Sequence, residues 1–245
     1  MTQKEGSKSN ETTLTKQQEN KSNSLLIINM LILFSSITIY FLLNFVQSST
    51  GQDNPESELP VPNKGFEYVT FGSLIKLTHS DTGYKLHSLN AQYGSGSGQQ
   101  IVTGLNKQDD HDSFWTVRTE VGKKGVENGT PVKCGSIINL SHLNTGSYLH
   151  SHIHESPLSS NQEVSCFAGN DQGDNWQLIC QETYWTRENK IQFLHVDTKK
   201  YLASDKKHVF PHPIQGQLEI FGKKKADEST YWRAQEGVYF ASNVE

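Results

Sequence analysis

One pattern recurs three times in this chain: GSLIKLTHSDTGYKLHS from Gly72, GSIINLSHLNTGSYLHS from Gly135 and NKIQFLHVDTKKYLAS from Asn189. Aligned on His79, His142 and His195, each copy has an apolar residue two positions before the histidine (Leu77, Leu140, Phe193). Each has a threonine three positions after it (Thr82, Thr145, Thr198) and a leucine seven after it (Leu86, Leu149, Leu202). The copies close on Trp115, Trp176 and Trp232, which lie 36, 34 and 37 residues past their histidines. A period of this length means that like units pack together to build one core. Within it, SGQQIV, SNQEVS and QGQLEI align Gln99, Gln162 and Gln217. The glycines of YGSGSGQQ at residues 93–100 therefore belong to a repeated turn, where glycine permits tight reversal. The stretch has neither the Gly-Lys-Ser/Thr ending nor the full Gly-x-Gly-x-x-Gly of a phosphate loop.

Apolar residues inside each copy alternate. Ile75, Leu77 and His79 face one way, and Lys76 and Thr78 the other; Ile138, Leu140 and His142 repeat the pattern. Short alternating runs between Asp-Thr-Gly, Asn-Thr-Gly and Gly-Ser turns read as strands. Three units of about 60 residues, each with room for roughly four short strands, predict an all-β domain with pseudo-threefold closure, a β-trefoil. We place this domain at residues 64–245, with repeats at about 66–125, 126–182 and 183–241.

The segment before it has another character. Leu25 to Val46 is a run of 22 uncharged residues, enough helical length to cross a bilayer. Residues 1–24 carry Lys4, Lys8, Lys16 and Lys21, and no basic residue lies between Gln47 and Asn63. The positive-inside rule then predicts a cytoplasmic tail, a signal anchor at 25–46, a polar linker at 47–63 and a lumenal domain. A cleaved signal peptide is the alternative, and it would leave the domain secreted or in the lumen. The formal net charge of −4 over 245 residues gives no electrostatic case for a nucleic-acid partner.

TGYKLHS, TGSYLHSH, YGSGSGQQ, SPLSSNQEVS, DNWQL and YWRAQEGVY resemble the MIR domain, and specifically the stromal cell-derived factor 2 family, over nearly all of residues 66–241. That resemblance implies a β-trefoil of three MIR motifs and an endoplasmic-reticulum protein without catalysis or cofactor. It also implies partners: a J-domain co-chaperone, a BiP-type lumenal chaperone and their unfolded clients. Soluble animal members commonly end in a His-Asp-Glu-Leu-like tail; this chain ends ASNVE, so the membrane span is expected to retain it. MIR motifs also occur in protein O-mannosyltransferases. This raises a second reading, a module for mannose-type glycans or a regulatory subunit of O-mannosylation.

Candidate binding residues follow from the repeat. A groove would be built around Leu86 and Leu149, with His87, Gln99, His150, His152 and Gln162 as polar contacts. The third copy has Lys199 in place of Gly83 and Gly146, and Ala203 in place of His87 and His150, so it is not expected to hold a ligand. His150, His152 and His154 alternate along one strand, but only one copy carries all three and no cysteine joins them. The expectation is a polar rim, with no metal. No Gly-x-Ser-x-Gly elbow is present, and no enzyme is expected. Cys134 opens the second repeat and Cys180 closes it. The expected disulfide joins these two and leaves Cys166 buried or free, although three connectivities remain open. Asn128, in NGT before a turn glycine, is the expected glycosylation site; Asn139, in NLS, lies within a strand.

Overall fold

A computed structural model describes residues 30–33, 35–40 and 64–243. Residues 30–33 and 35–40 are helical and exposed. They belong to the expected span at 25–46; the rest of that span, the tail and the linker lie outside the described residues. Among the described residues no helix is long and apolar enough to cross a membrane.

Residues 64–243 form an all-β fold whose twelve strands join in one sheet. In chain order they are β1 (Leu74–His79), β2 (Lys85–Gln92), β3 (Gln100–Leu105), β4 (Phe114–Thr119), β5 (Ile137–His142), β6 (Tyr148–Glu155), β7 (Gln162–Phe167), β8 (Trp176–Ile179), β9 (Gln192–His195), β10 (Tyr201–Val209), β11 (Leu218–Lys223) and β12 (Trp232–Val238). Pairing closes a ring: β1 with β4, β4 with β5, β5 with β8, β8 with β9, and β12 with β1. The last gap is sealed by the bridge between Ile191, just before β9, and Trp232. Closure removes the free edges that would otherwise pair with other chains.

The other six strands form three hairpins over one end of the ring: β2–β3, β6–β7 and β10–β11. Each hairpin bulges at the same place, after Ser88, Ser151 and Ser204. Their inner strands pair cyclically, with Gln100 opposite Cys166, Gln162 opposite Gly222, and Leu218 opposite Gly104.

The repeated residues account for this geometry. Trp115, Trp176 and Trp232 are fully buried, and each donates from Nε1 to the carbonyl of Leu86, Leu149 or Leu202 at 2.9, 2.9 and 3.0 Å. A large apolar ring thereby fills the core while its one polar atom ties a ring strand to its own hairpin. Each tryptophan also pairs in register with the next histidine around the ring: Trp115 with His142, Trp176 with His195, Trp232 with His79. The turn after each histidine needs a positive φ, and Gly83 (+77°) and Gly146 (+71°) supply it; Lys199 adopts it at +53°.

The structure joins Cys134 to Cys180, with Cα atoms 5.4 Å apart, and leaves Cys166 as a free buried thiol. Alternation is overridden where outward-side residues such as Lys76, Thr78 and Asn139 are buried. Lys76, on the outward side by sequence, is buried because its Nζ meets Glu236 at 2.7 Å and the carbonyl of Gln108 at 2.6 Å.

Candidate binding site

The three signature histidines form latches between repeats. His79 Nε2 lies 2.8 Å from the carbonyl of Ser229, His142 Nε2 is 2.9 Å from that of Asp112, and His195 Nε2 is 2.9 Å from that of Gly173. Each carbonyl sits in the short 3₁₀ turn of the preceding repeat: 228–230, 111–113 and 172–174. A carbonyl only accepts, so Nε2 carries the proton. Burial pushes the pKa of all three imidazoles down, and the carbonyl bonds and nearby aspartates only partly oppose this. The rings are therefore neutral, and Nδ1 accepts from Thr82, Thr145 or Thr198 at 3.0, 3.0 and 2.8 Å. These histidines are structural, and every one is satisfied.

The expected groove does not form around Leu86 and Leu149. Both are fully buried and line no groove, because their side chains belong to the core cluster that also holds the three tryptophans. His87 is buried against Thr103 at 3.0 Å, and burial lowers its pKa against the opposing effect of Asp110. His150 is buried as well, with Nδ1 2.8 Å from Asp174, while His152 and His154 are exposed. Gln162 is the counterpart of Gln100, and Gln99 is the counterpart of Asn161, a one-residue shift that places these side chains on opposite faces. Gln100 and Gln162 each bridge two repeats. They donate to Ser88 and Thr145, and to Ser151 and Thr198 respectively. Gln99 instead accepts from Ser165 at 2.6 Å.

The surface departs from threefold symmetry at the hairpin tips. Ile101, Glu163 and Glu219 occupy the same position in their strands. Glu219, fully buried, accepts from the amides of Leu158 and Ser159 in the preceding repeat at 2.7 and 3.0 Å. Glu163 accepts likewise from the amide of Ser97 at 3.2 Å and from its hydroxyl, fixing the glycine-rich turn. At the third junction Ile101 replaces the carboxylate, and apolar groups collect: Tyr93, Ile101 and Phe210, with Leu89, Leu158 and Ile214 packed against them. Beside them opens a pocket of about 250 Å³ whose lining includes Tyr93, Ile101, Phe210, Pro211, Pro213 and Ile214. The Tyr93 hydroxyl is turned away from it, 3.1 Å from the carbonyls of Val102 and Val164, so the pocket is predominantly apolar. A second cleft of about 560 Å³, between the first and second repeats, is lined by amides that include Asn90, Gln92, Gln99 and Gln100, with Phe167 beside them.

The apolar pocket escaped the sequence reading because the residues that mark it are spread over the turn after β2, strand β3 and the loop after β10. The glutamates did leave a trace: NQEVS and GQLEI place an acid where SGQQIV has an apolar residue, inside an otherwise apolar strand.

The chain matches the MIR domain family over residues 91–183. It is 42% identical over 217 residues to the stromal cell-derived factor 2-like protein of Dictyostelium discoideum, covering 86% of this chain and 96% of the relative. The crystal structure of the SDF2-like protein from Arabidopsis thaliana is similar, with 41% identity and a TM-score of 0.69 over 72% of this chain and 99% of that one. The protein O-mannosyltransferase Pmt1–Pmt2 complex of S. cerevisiae contains a like fold. It is 24% identical, with a TM-score of 0.63 over 75% of this chain and 27% of that chain.

Proposed function

Because the chain belongs to the stromal cell-derived factor 2 family of MIR-domain proteins, we propose that it is a non-catalytic β-trefoil accessory of a J-domain and BiP-type chaperone system. In this reading it is held at the endoplasmic-reticulum membrane by residues 25–46, with the trefoil in the lumen. The apolar pocket between the first and third repeats carries the reading. It is the junction at which the buried carboxylate gives way to Ile101, and about 250 Å³ accommodates one large apolar side chain of an unfolded client. One such contact is weak and reversible, as suits a protein that passes clients onward. The anchor is supported by the uncharged run 25–46 and by exposed apolar side chains on its described helical residues, among them Leu31, Leu33 and Ile37.

Ile214 is partly buried at the pocket, so Ile214→Glu adds a charge there with little cost to the core. The test is suppression of aggregation of a reduced, unfolding client by the full-length protein, with recovery of J-domain and BiP-type chaperones from solubilised membranes. The variant is expected to lose suppression and to melt as the wild type does. Equal activity of the variant would overturn the pocket's role.

The amide-lined cleft favours a second reading, recognition of a mannose-type glycan, since amides beside an aromatic ring suit sugar hydroxyls and ring faces. Elution of bound glycoproteins by free mannose-type sugar, without chaperone recovery, would favour it.

A further inference from the structure

The strongest unassigned chemistry lies in the second repeat, away from the apolar pocket and on the far side of the cleft residue Phe167, whose ring centroid is 5.0 Å from that of His150. Strand β6 presents His150 and His152, and the turn at residues 171–174 passes across them with Gly173 against both rings. A Cβ on residue 173 would collide with the His150 ring and reach 2.9 Å from Cε1 of His152. Glycine thus lets two imidazoles and two carboxylates crowd together. One donor atom each from His150, His152 and Asp171 lies within 4.8 Å of the other two.

Charge in this cluster is under-compensated. Asp174 is fully buried and Asp171 stands beside it, yet among the described residues the one basic side chain close enough to pair with either is His150, 2.8 Å from Asp174 and 3.7 Å from Asp171. No lysine or arginine among the described residues pairs with them. The backbone amides of Asp171 and Gly173 donate one hydrogen bond each to the carboxylates. His150 Nε2 is also buried without a hydrogen-bond partner. A buried carboxylate beside a second one, with so little positive charge nearby, favours a cation.

We propose that His150, His152 and Asp171 bind a divalent transition metal of the zinc class, with buried Asp174 holding His150 in place. Two imidazoles and a carboxylate, without thiolate, suit zinc and its neighbours better than magnesium or calcium. Bonds of about 2.0–2.2 Å require the donors to draw in by about an ångström, which the exposed His152 and half-exposed Asp171 can do against a fixed His150. Three protein donors leave a coordination position for water. Alternation alone would have enlisted His154. The bulge between Ser151 and Glu155 diverts that residue, and Asp171 takes its place in the cluster.

The other repeats lack these features. His87, Asp110 and Asp112 also cluster, but His87 is engaged by Thr103, Asp110 by Ser113 and Asp112 by Asn144. The third repeat has Ala203 at the position of His150, and its Asp227 is paired with Lys223.

The experiment is calorimetric titration of zinc into untagged, chelator-stripped full-length protein in detergent, with cobalt absorption as a readout of coordination. The expected result is one equivalent bound, weakened roughly tenfold or more in His152→Ala and Asp171→Asn. It should be unchanged in His154→Ala, with melting curves showing that all three variants fold. Absence of binding in the wild type would overturn the assignment. So would wild-type affinity in His152→Ala, or an equal loss in His154→Ala.

Discussion

His142 donates from Nε2 to the backbone carbonyl of Asp112 at 2.9 Å, so a side chain of the second repeat closes the 3₁₀ turn of the first. His195 closes the second repeat's turn and His79 closes the third's, so the three bonds run cyclically around the barrel. Each histidine joins two repeats, which makes the latches a property of the assembled domain.

The latches make the domain acid-sensitive. A second proton would fall on Nδ1, which accepts from a threonine hydroxyl and, in His79 and His195, also faces a backbone amide. Since all three pKa values are depressed below 6.5 in the folded state, the unfolded chain binds more protons in that range. Stability is complete above pH 6.5 and is lost as pH falls through the folded values. Urea midpoints measured at pH 7.5 and pH 5 should therefore fall in the acid, and less steeply in His142→Gln. A midpoint indifferent to pH would refute neutral latches.

Glu219→Gln should destabilise the domain by about 1–3 kcal/mol, because the amides of Leu158 and Ser159 each donate to a different carboxyl oxygen, and a carboxamide would set an NH2 donor against one of them in a fully buried site. Chemical denaturation gives the magnitude. Hydrogen exchange should show the loss concentrated at those two amides; protection unchanged there would contradict the anchoring role.

Cys166 should resist alkylation in the native protein. Burial raises its thiol pKa to about 12 and its Sγ lies 3.4 Å from the Ser88 hydroxyl, so thiolate and access are both lacking. Mass spectrometry after native labelling with iodoacetamide should find it unmodified, and labelling after denaturation should find it modified. Rapid native labelling would show that the hairpin end opens.

Removing the Cys134–Cys180 bridge, which spans 46 residues, should cost roughly 2–4 kcal/mol. The double Cys→Ala variant, compared by urea denaturation, checks the value. No change would mean that the second repeat is closed by its strands alone.

If the domain is lumenal, Asn128→Gln should remove a glycan-dependent shift on gels, because Asn128 is exposed in a turn. Asn139→Gln should leave mobility unchanged yet lower stability: its Nδ2 is buried and donates to the carbonyl of Asp174 at 2.7 Å and to Asn175 at 3.0 Å. A mobility shift in Asn139→Gln alone would reverse the assignment.

Alternation and the threefold spacing of histidine, threonine, leucine and tryptophan were sufficient to read an all-β domain of repeated units, because these side chains fill equivalent places in one core. Only the tertiary structure decided what the repeats do where they meet. Leu86 and Leu149 look like groove residues when read along the chain, but both are fully buried in the core cluster that holds the tryptophans. Gln99 and Gln162 align in sequence, yet hairpin register separates them by one residue and turns their side chains apart. The apolar pocket at Ile101 and the cluster of His150, His152 and Asp171 draw on separate stretches of chain. The physical reason is that periodicity reports which side of its own strand a residue occupies. What stands opposite depends on register, bulges and closure of the ring, and these are set by contacts between residues far apart in the chain.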